Sequence, residues 1–120
     1  TITSTMFTAY HHEDDSQTAL GYFGSFDQAQ GTAFQNLTYI GNDNDMCAAG
    51  ELKIFEPSNT SKVKHFIGRT QTYGDGGGQD LSEDWYTAGY FNLETALTRF
   101  RFKMSSGNID SGTIKLYGVL

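Results

Sequence analysis

The stretch Leu97–Leu120, LTRFRFKMSSGNIDSGTIKLYGVL, decides how the fold is read. Phe100, Phe102 and Met104 alternate with Arg99, Arg101 and Lys103. A period of two is what a half-buried strand produces, because successive side chains point to opposite faces. Ile114 and Leu116 alternate with Thr113, Lys115 and Tyr117 in the same way, less cleanly. The connector Ser105–Gly112 holds residues that turn well, apart from Ile109. It is longer than a tight two-residue hairpin, so the expectation is a broad loop anchored by Ile109. The stretch therefore predicts a C-terminal pair of strands, with Phe100, Phe102, Met104, Ile114 and Leu116 in the core.

The same residues carry a family resemblance. The pattern Ser105-Ser106-Gly107-Asn108, then Ser111-Gly112-Thr113, then Leu116-Tyr117-Gly118 resembles the C-terminal signature of a family of tailed-bacteriophage virion proteins. Its members occur as fibre, spike and capsid-decoration modules. The likeness extends back more loosely through Trp85 to the hairpin at Gly50–Phe66. It implies a jelly-roll fold, a trimer, a place on the exterior of the phage particle, and contacts with the major capsid protein or other virion proteins. It implies no catalytic machinery and no cofactor.

Working outward, the composition agrees with an all-β chain. There are nine Phe, seven Tyr and one Trp, 14 Gly and a single Pro. Aromatic side chains suit pleated surfaces, and glycines between short apolar runs suit turns. A chain of 120 residues fits one domain, 1–120. One cysteine, Cys47, excludes an internal disulfide framework. No stretch approaches the ~18 apolar residues of a membrane-crossing helix, and no basic-plus-apolar leader opens the sequence. No membrane partner is expected. A start at Thr1 fits removal of an initiator Met or a piece of a longer protein.

Charge is distributed unevenly. Residues 1–50 hold six acids (Glu13, Asp14, Asp15, Asp27, Asp43 and Asp45) and no Lys or Arg, while residues 51–120 hold eight of each sign. The net charge of −6 argues against phosphate-backbone binding, so no nucleic-acid partner is expected.

Along the chain, strands are expected at Thr1–Tyr10, Ala19–Phe26, Ala33–Ile40, Glu51–Glu56, Lys62–Ile67 and Trp85–Phe91, before the final pair. Gly21 and Gly24 suggest bends in the second. Arg69–Tyr73 is read as an extension of the hairpin strand before it. Gly74–Asp84 reads as a mobile, glycine-rich surface loop, and Asn92–Ala96 as a single turn. About seven or eight strands with turn signals every ~8–12 residues predict an antiparallel β-sandwich. No segment sustains a helical period.

Each candidate site has a plainer reading beside it. His11-His12-Glu13-Asp14-Asp15 has metal-ligand residue types, but neighbours in a strand face opposite ways. A solvated acidic loop is the simpler reading, a weak divalent-ion site at an oligomer contact the other. Asp43-Asn44-Asp45 fails the calcium-loop pattern, because Cys47, Ala48 and Ile54 stand where ligands and a glycine are needed. Gly74-Asp75-Gly76-Gly77-Gly78 lacks the Lys-Ser/Thr of a phosphate loop. No nucleophile–base set is legible in sequence. Arg99, Arg101, Lys103 and Lys115 form a basic strand face, either edge-protecting charge or a contact for acidic surface on a partner. Trp85, Tyr86 and Tyr90 could stack on a host glycan or fill the core.

The resulting expectation is a non-enzymatic virion structural protein, a capsid decoration, cement or head-fibre module that assembles with itself. A fibre-tip or carbohydrate-binding module is the alternative. An enzyme would need two carboxylates facing one cleft about 5–10 Å apart, and scattered acidic loops do not indicate that.

Overall fold

The structure, a computed structural model, describes residues 1–119. It is all-β, with no helix among those residues. Five strands, β1 (Ile2–His12), β2 (Thr18–Tyr22), β3 (Ala48–Ile54), β4 (Lys64–Asp75) and β5 (Asp80–Phe91), form one antiparallel sheet in the order β2-β1-β5-β4-β3. The expected sandwich of seven or eight strands is thus a single five-stranded sheet.

Local chemistry explains the three hairpins. β1 and β2 are joined through Glu13–Gln17, where Asp14 Oδ1 accepts the Ser16 amide at 3.0 Å. The β3–β4 turn follows Pro57, and Asn59 Oδ1 accepts the amides of Ser61 and Lys62 at 2.8 and 2.9 Å. The β4–β5 tip corrects the mobile-loop expectation. Strand pairing runs out to Asp75↔Asp80, leaving only Gly76–Gln79 to turn. Gly77 and Gly78 have φ of 76° and 89°, a region that side chains with a Cβ rarely adopt. Asp75 Oδ1 accepts the Gly78 amide at 2.6 Å. These glycines close a tight hairpin.

β2 and β3 lie at opposite edges of the sheet, so the connection between them has to cross it. Residues 23–47 do so over one face, and this covering segment makes the core. It is pinned to β1 by reciprocal backbone bonds between Ile2 and Gly31 at 2.8 Å, and by the Gln28 amide donating to Ser4 Oγ at 2.9 Å. Phe23 meets the Trp85 ring edge-on at 4.9 Å and Phe26 stacks on it at 5.4 Å. Thr38 hydrogen-bonds Thr72 farther along. The covered face takes the even residues of β1 and β4 and the odd residues of β5, as the register requires. Its apolar centre is Met6, Phe66, Leu81 and Trp85. Ser4, Thr8, His12, Lys64, Thr72 and Thr87 are buried with them, an unusually polar lining.

The segment Ala33–Ile40, expected as a strand, belongs to this crossover and is not paired. The C-terminal stretch is the larger correction. After β5 the chain is anchored by four bonds: the Asn92 amide to the Thr1 carbonyl at 2.8 Å, Asn92 Nδ2 to Gln30 Oε1 at 2.8 Å, Lys64 Nζ to the Leu93 carbonyl at 3.0 Å, and the Leu97 amide to the Pro57 carbonyl at 2.8 Å. Beyond Leu97 no strand forms among the described residues. Phe100 and Phe102 are 41% and 43% exposed, Ile114 and Leu116 are exposed and Met104 is half-buried, so the predicted core residues are not core. Alternation alone does not make a strand; its amides and carbonyls need a partner chain, and a lone hairpin is marginal in water.

The consequence is an extended molecule. Its accessible surface is 8614 Å², against about 6,450 Å² for a folded monomer of this mass. The radius of gyration is 15.6 Å, where a compact chain of this length has about 13.6 Å.

Candidate functional site

The sheet face opposite the crossover is open, and cross-strand register sets its chemistry. Tyr22, Phe7, Tyr86, Arg69 and Glu51 form one continuous row across all five strands. Phe7 and Tyr86 stack at 4.6 Å with an interplanar angle of 8°. Arg69 lies 5.1 Å from the Tyr86 ring centre. Its guanidinium grips Asp84 with two nitrogens, Nη2 to Oδ2 at 2.6 Å and Nε to Oδ1 at 3.0 Å, and the Tyr86 hydroxyl donates to the same carboxylate at 3.0 Å. Paired hydrogen bonds of this kind fix geometry as well as charge. The Arg69 hydrogen bond holds the Asp84 carboxyl below the usual range, against some desolvation. A shallow depression of about 240 Å³ lies beside this group, lined by Ala49, Gly50, Glu51, Arg69, Gln71 and Asp84.

Adjacent in sequence, Glu83 faces the covered side beside Trp85 and behaves oppositely. Burial raises its pKa, opposed first by the Thr8 hydroxyl at 3.4 Å. The Trp85 N–H also favours its charge, yet completes no hydrogen bond.

The face carries Phe7, Leu20, Tyr22 and Ile67 exposed to solvent. A second depression, about 350 Å³, lies at the far end of the sheet among His11, His12, Glu13, Asp15, Gln71, Tyr73, Leu81 and Ser82. The histidine–acid cluster divides there. His11 Nε2 sits 2.9 Å from Asp15 Oδ1, whereas His12 turns to the covered face and meets Ser16 Oγ through Nδ1 at 3.1 Å. No three His, Cys, Asp or Glu side chains converge as a metal site among the described residues. Desolvation, followed by the charges of Asp45, Asp80 and Glu13, raises the Tyr73 pKa.

The aromatic trio is not a sugar platform in this arrangement. Trp85 is 1% exposed beneath Phe23 and Phe26, so no sugar reaches it. Tyr86 has Phe7 and Arg69 against its ring. Tyr90 packs against His65 at 6.2 Å, with its hydroxyl 3.4 Å from Gln30 Nε2. The four basic residues are exposed and not gathered on a sheet: Arg101 and Lys103 both lie over the Phe34 ring, at 5.3 and 4.7 Å, while Arg99 and Lys115 stand apart.

The Arg69–Asp84–Tyr86 group was not legible in sequence. Its signal is the pairing of Arg69 with Tyr86, and that register follows only once Gly76–Gln79 is read as a tight turn. Comparison of the chain with protein-family models, curated proteins and solved structures gives no match.

Proposed function

We propose that this chain is a non-enzymatic structural module of a tailed-phage virion, a capsid decoration, cement or head-fibre protein that works by packing against copies of itself and against the shell. One observation carries the reading. The segment bearing the virion-like signature, Ser105–Gly118, lies exposed on a chain with about a third more surface than a folded monomer of its mass needs. Exposed apolar surface of that kind suits an assembly component, which buries it on association. The open face of the sheet, with its apolar residues around the fixed Arg69–Asp84 pair, offers a second contact surface. A trimer is the state the resemblance suggests, and a second β-layer would then form between chains.

Quantitative mass spectrometry of purified particles of the phage encoding the chain tests this. A decoration or cement protein is expected in numbers comparable to the major capsid protein, and a head fibre in fewer. Complete absence from particles would contradict the proposal.

A further inference from the structure

We infer that residues 98–104 of one copy add as a sixth strand to the outer edge of β2 in a second copy, linking chains head to tail. This rests on the self-association in the function proposed above and names the segment that mediates it.

The two edges of the sheet differ. β3 carries Glu51 and Lys53 in a 3.0 Å ion pair, the kind of charge that blunts an exposed edge. β2, Thr-Ala-Leu-Gly-Tyr, has no charge and no proline, and each of its residues is exposed. Its unpaired backbone is a template for another strand. The chain also holds a segment that lacks a strand partner. Thr98–Met104 has strict two-residue alternation, exposed Phe100 and Phe102, and no pairing.

Charge matches the two. Thr98–Met104 contains Arg99, Arg101 and Lys103 and no acid, while β2 is flanked by Glu13, Asp14 and Asp15 before it and Asp27 after it. With Phe100 and Phe102 beside Leu20 and Tyr22, an added strand extends the apolar surface of the open face. The three bases fall on the opposite side; Asp15 and Asp27 are engaged by His11 and Tyr22 of the open face, so the acids that flank β2 attract the segment as a whole rather than pairing with it. Arg101 and Lys103 give up only their contacts with Phe34.

Geometry favours a second copy over the chain's own edge. The Leu97 amide is tied to Pro57, in the turn after β3. Four strand spacings, about 19 Å, separate the β3 and β2 edges. A residue spans at most about 3.5 Å, so Thr98 cannot begin pairing with its own β2 while that tie holds. Unlike surfaces used head to tail close into a ring or continue as a filament. The surface excess of about 2,000 Å² per chain is of the size that obligate assemblies bury.

The test uses full-length chains at high protein concentration and low salt. Two variants, Leu20→Cys and Phe102→Cys, each also carrying Cys47→Ser, are mixed under mild oxidation. Disulfide-linked heterodimers are expected, and none when Lys53→Cys, exposed on the open face of β3, replaces Leu20→Cys. Light scattering on Leu20→Lys, at an exposed position (72%), should show association weakened by at least about tenfold, because a charge replaces the apolar side chain that meets Phe100 and Phe102. If the wild-type chain associates but Leu20→Lys does so equally well, the β2 contact is overturned and self-association stands. A wild-type chain monomeric under these conditions overturns both. Cross-linking through Lys53→Cys, or within one chain carrying both Leu20→Cys and Phe102→Cys regardless of concentration, also overturns the inference.

Discussion

In β5, Trp85, Thr87 and Gly89 face a covered side, and the backbone is paired on both edges, to β1 and to β4. In Leu97–Tyr117, Phe100 and Phe102 face solvent and the backbone pairs with no strand. Both regions carry aromatic residues, four in Asp80–Phe91 and three in the longer Leu97–Tyr117. What separates them is a lid and two neighbours: the crossover supplies Phe23 and Phe26 over β5, whereas its Phe34 meets only the charged ends of Arg101 and Lys103 among the described residues of the tail. A strand is stabilised by what completes it, through cross-strand pairs and through ordered amides and carbonyls.

The largest expected effect tests the covered side. Trp85→Ala removes the ring on which Phe23 and Phe26 pack and should cost about 3–5 kcal/mol in urea unfolding. Phe102→Ala, measured on the dilute monomer, should cost under about 0.5 kcal/mol, as for an ordinary surface change. Equal losses would erase the distinction between the two regions.

A second contrast concerns glycines. A Cβ at Gly89 would fall 2.8 Å from Phe66 Cζ and 2.9 Å from Ser4 Cα, and closer still to the Thr3 carbonyl. Gly89→Ala should therefore destabilise by about 1–3 kcal/mol, the usual cost of overpacking. At Gly118 a Cβ meets nothing within 4 Å, so Gly118→Ala should leave the unfolding midpoint unchanged.

The sheet and the crossover were not equally legible. β1, the β3–β4 hairpin and the second half of β5 follow from alternation and from Pro57. The core did not follow, because its apolar centre is small and depends on Phe23 and Phe26 reaching Trp85 across the sheet, a contact set by topology. The tight β4–β5 turn was hidden by its composition: glycine marks a mobile loop and a left-handed turn equally well. Of the site residues, the basic tail was visible as residues but not as an unpaired segment. The Arg69–Asp84–Tyr86 group needed register.

Smaller effects come from two neighbouring carboxylates whose pKa values shift in opposite directions. Asp84 has its pKa lowered by Arg69, so its contribution is present above the unfolded value and lost as pH falls through the lower folded value. Arg69 is largely exposed, so solvent screening keeps the contribution below about 1 kcal/mol. Glu83 has its pKa raised by burial, so stability declines as pH rises from the unfolded value through the folded one. Glu83→Gln should remove that decline, read from unfolding midpoints between about pH 4 and 7, and Asp84→Asn the acid-side loss, read below about pH 4.

On the proposal above, the sheet is complete in one chain and the tail finds its strand partner only on assembly. Amide hydrogen exchange on the dilute, monomeric protein tests it most directly. Amides of Trp85–Phe91 should be protected to near the global stability, and those of Arg99–Met104 and Thr113–Tyr117 should exchange within seconds, becoming protected only as the protein assembles. Slow exchange of the tail amides in the monomer, matching β5, would contradict the account.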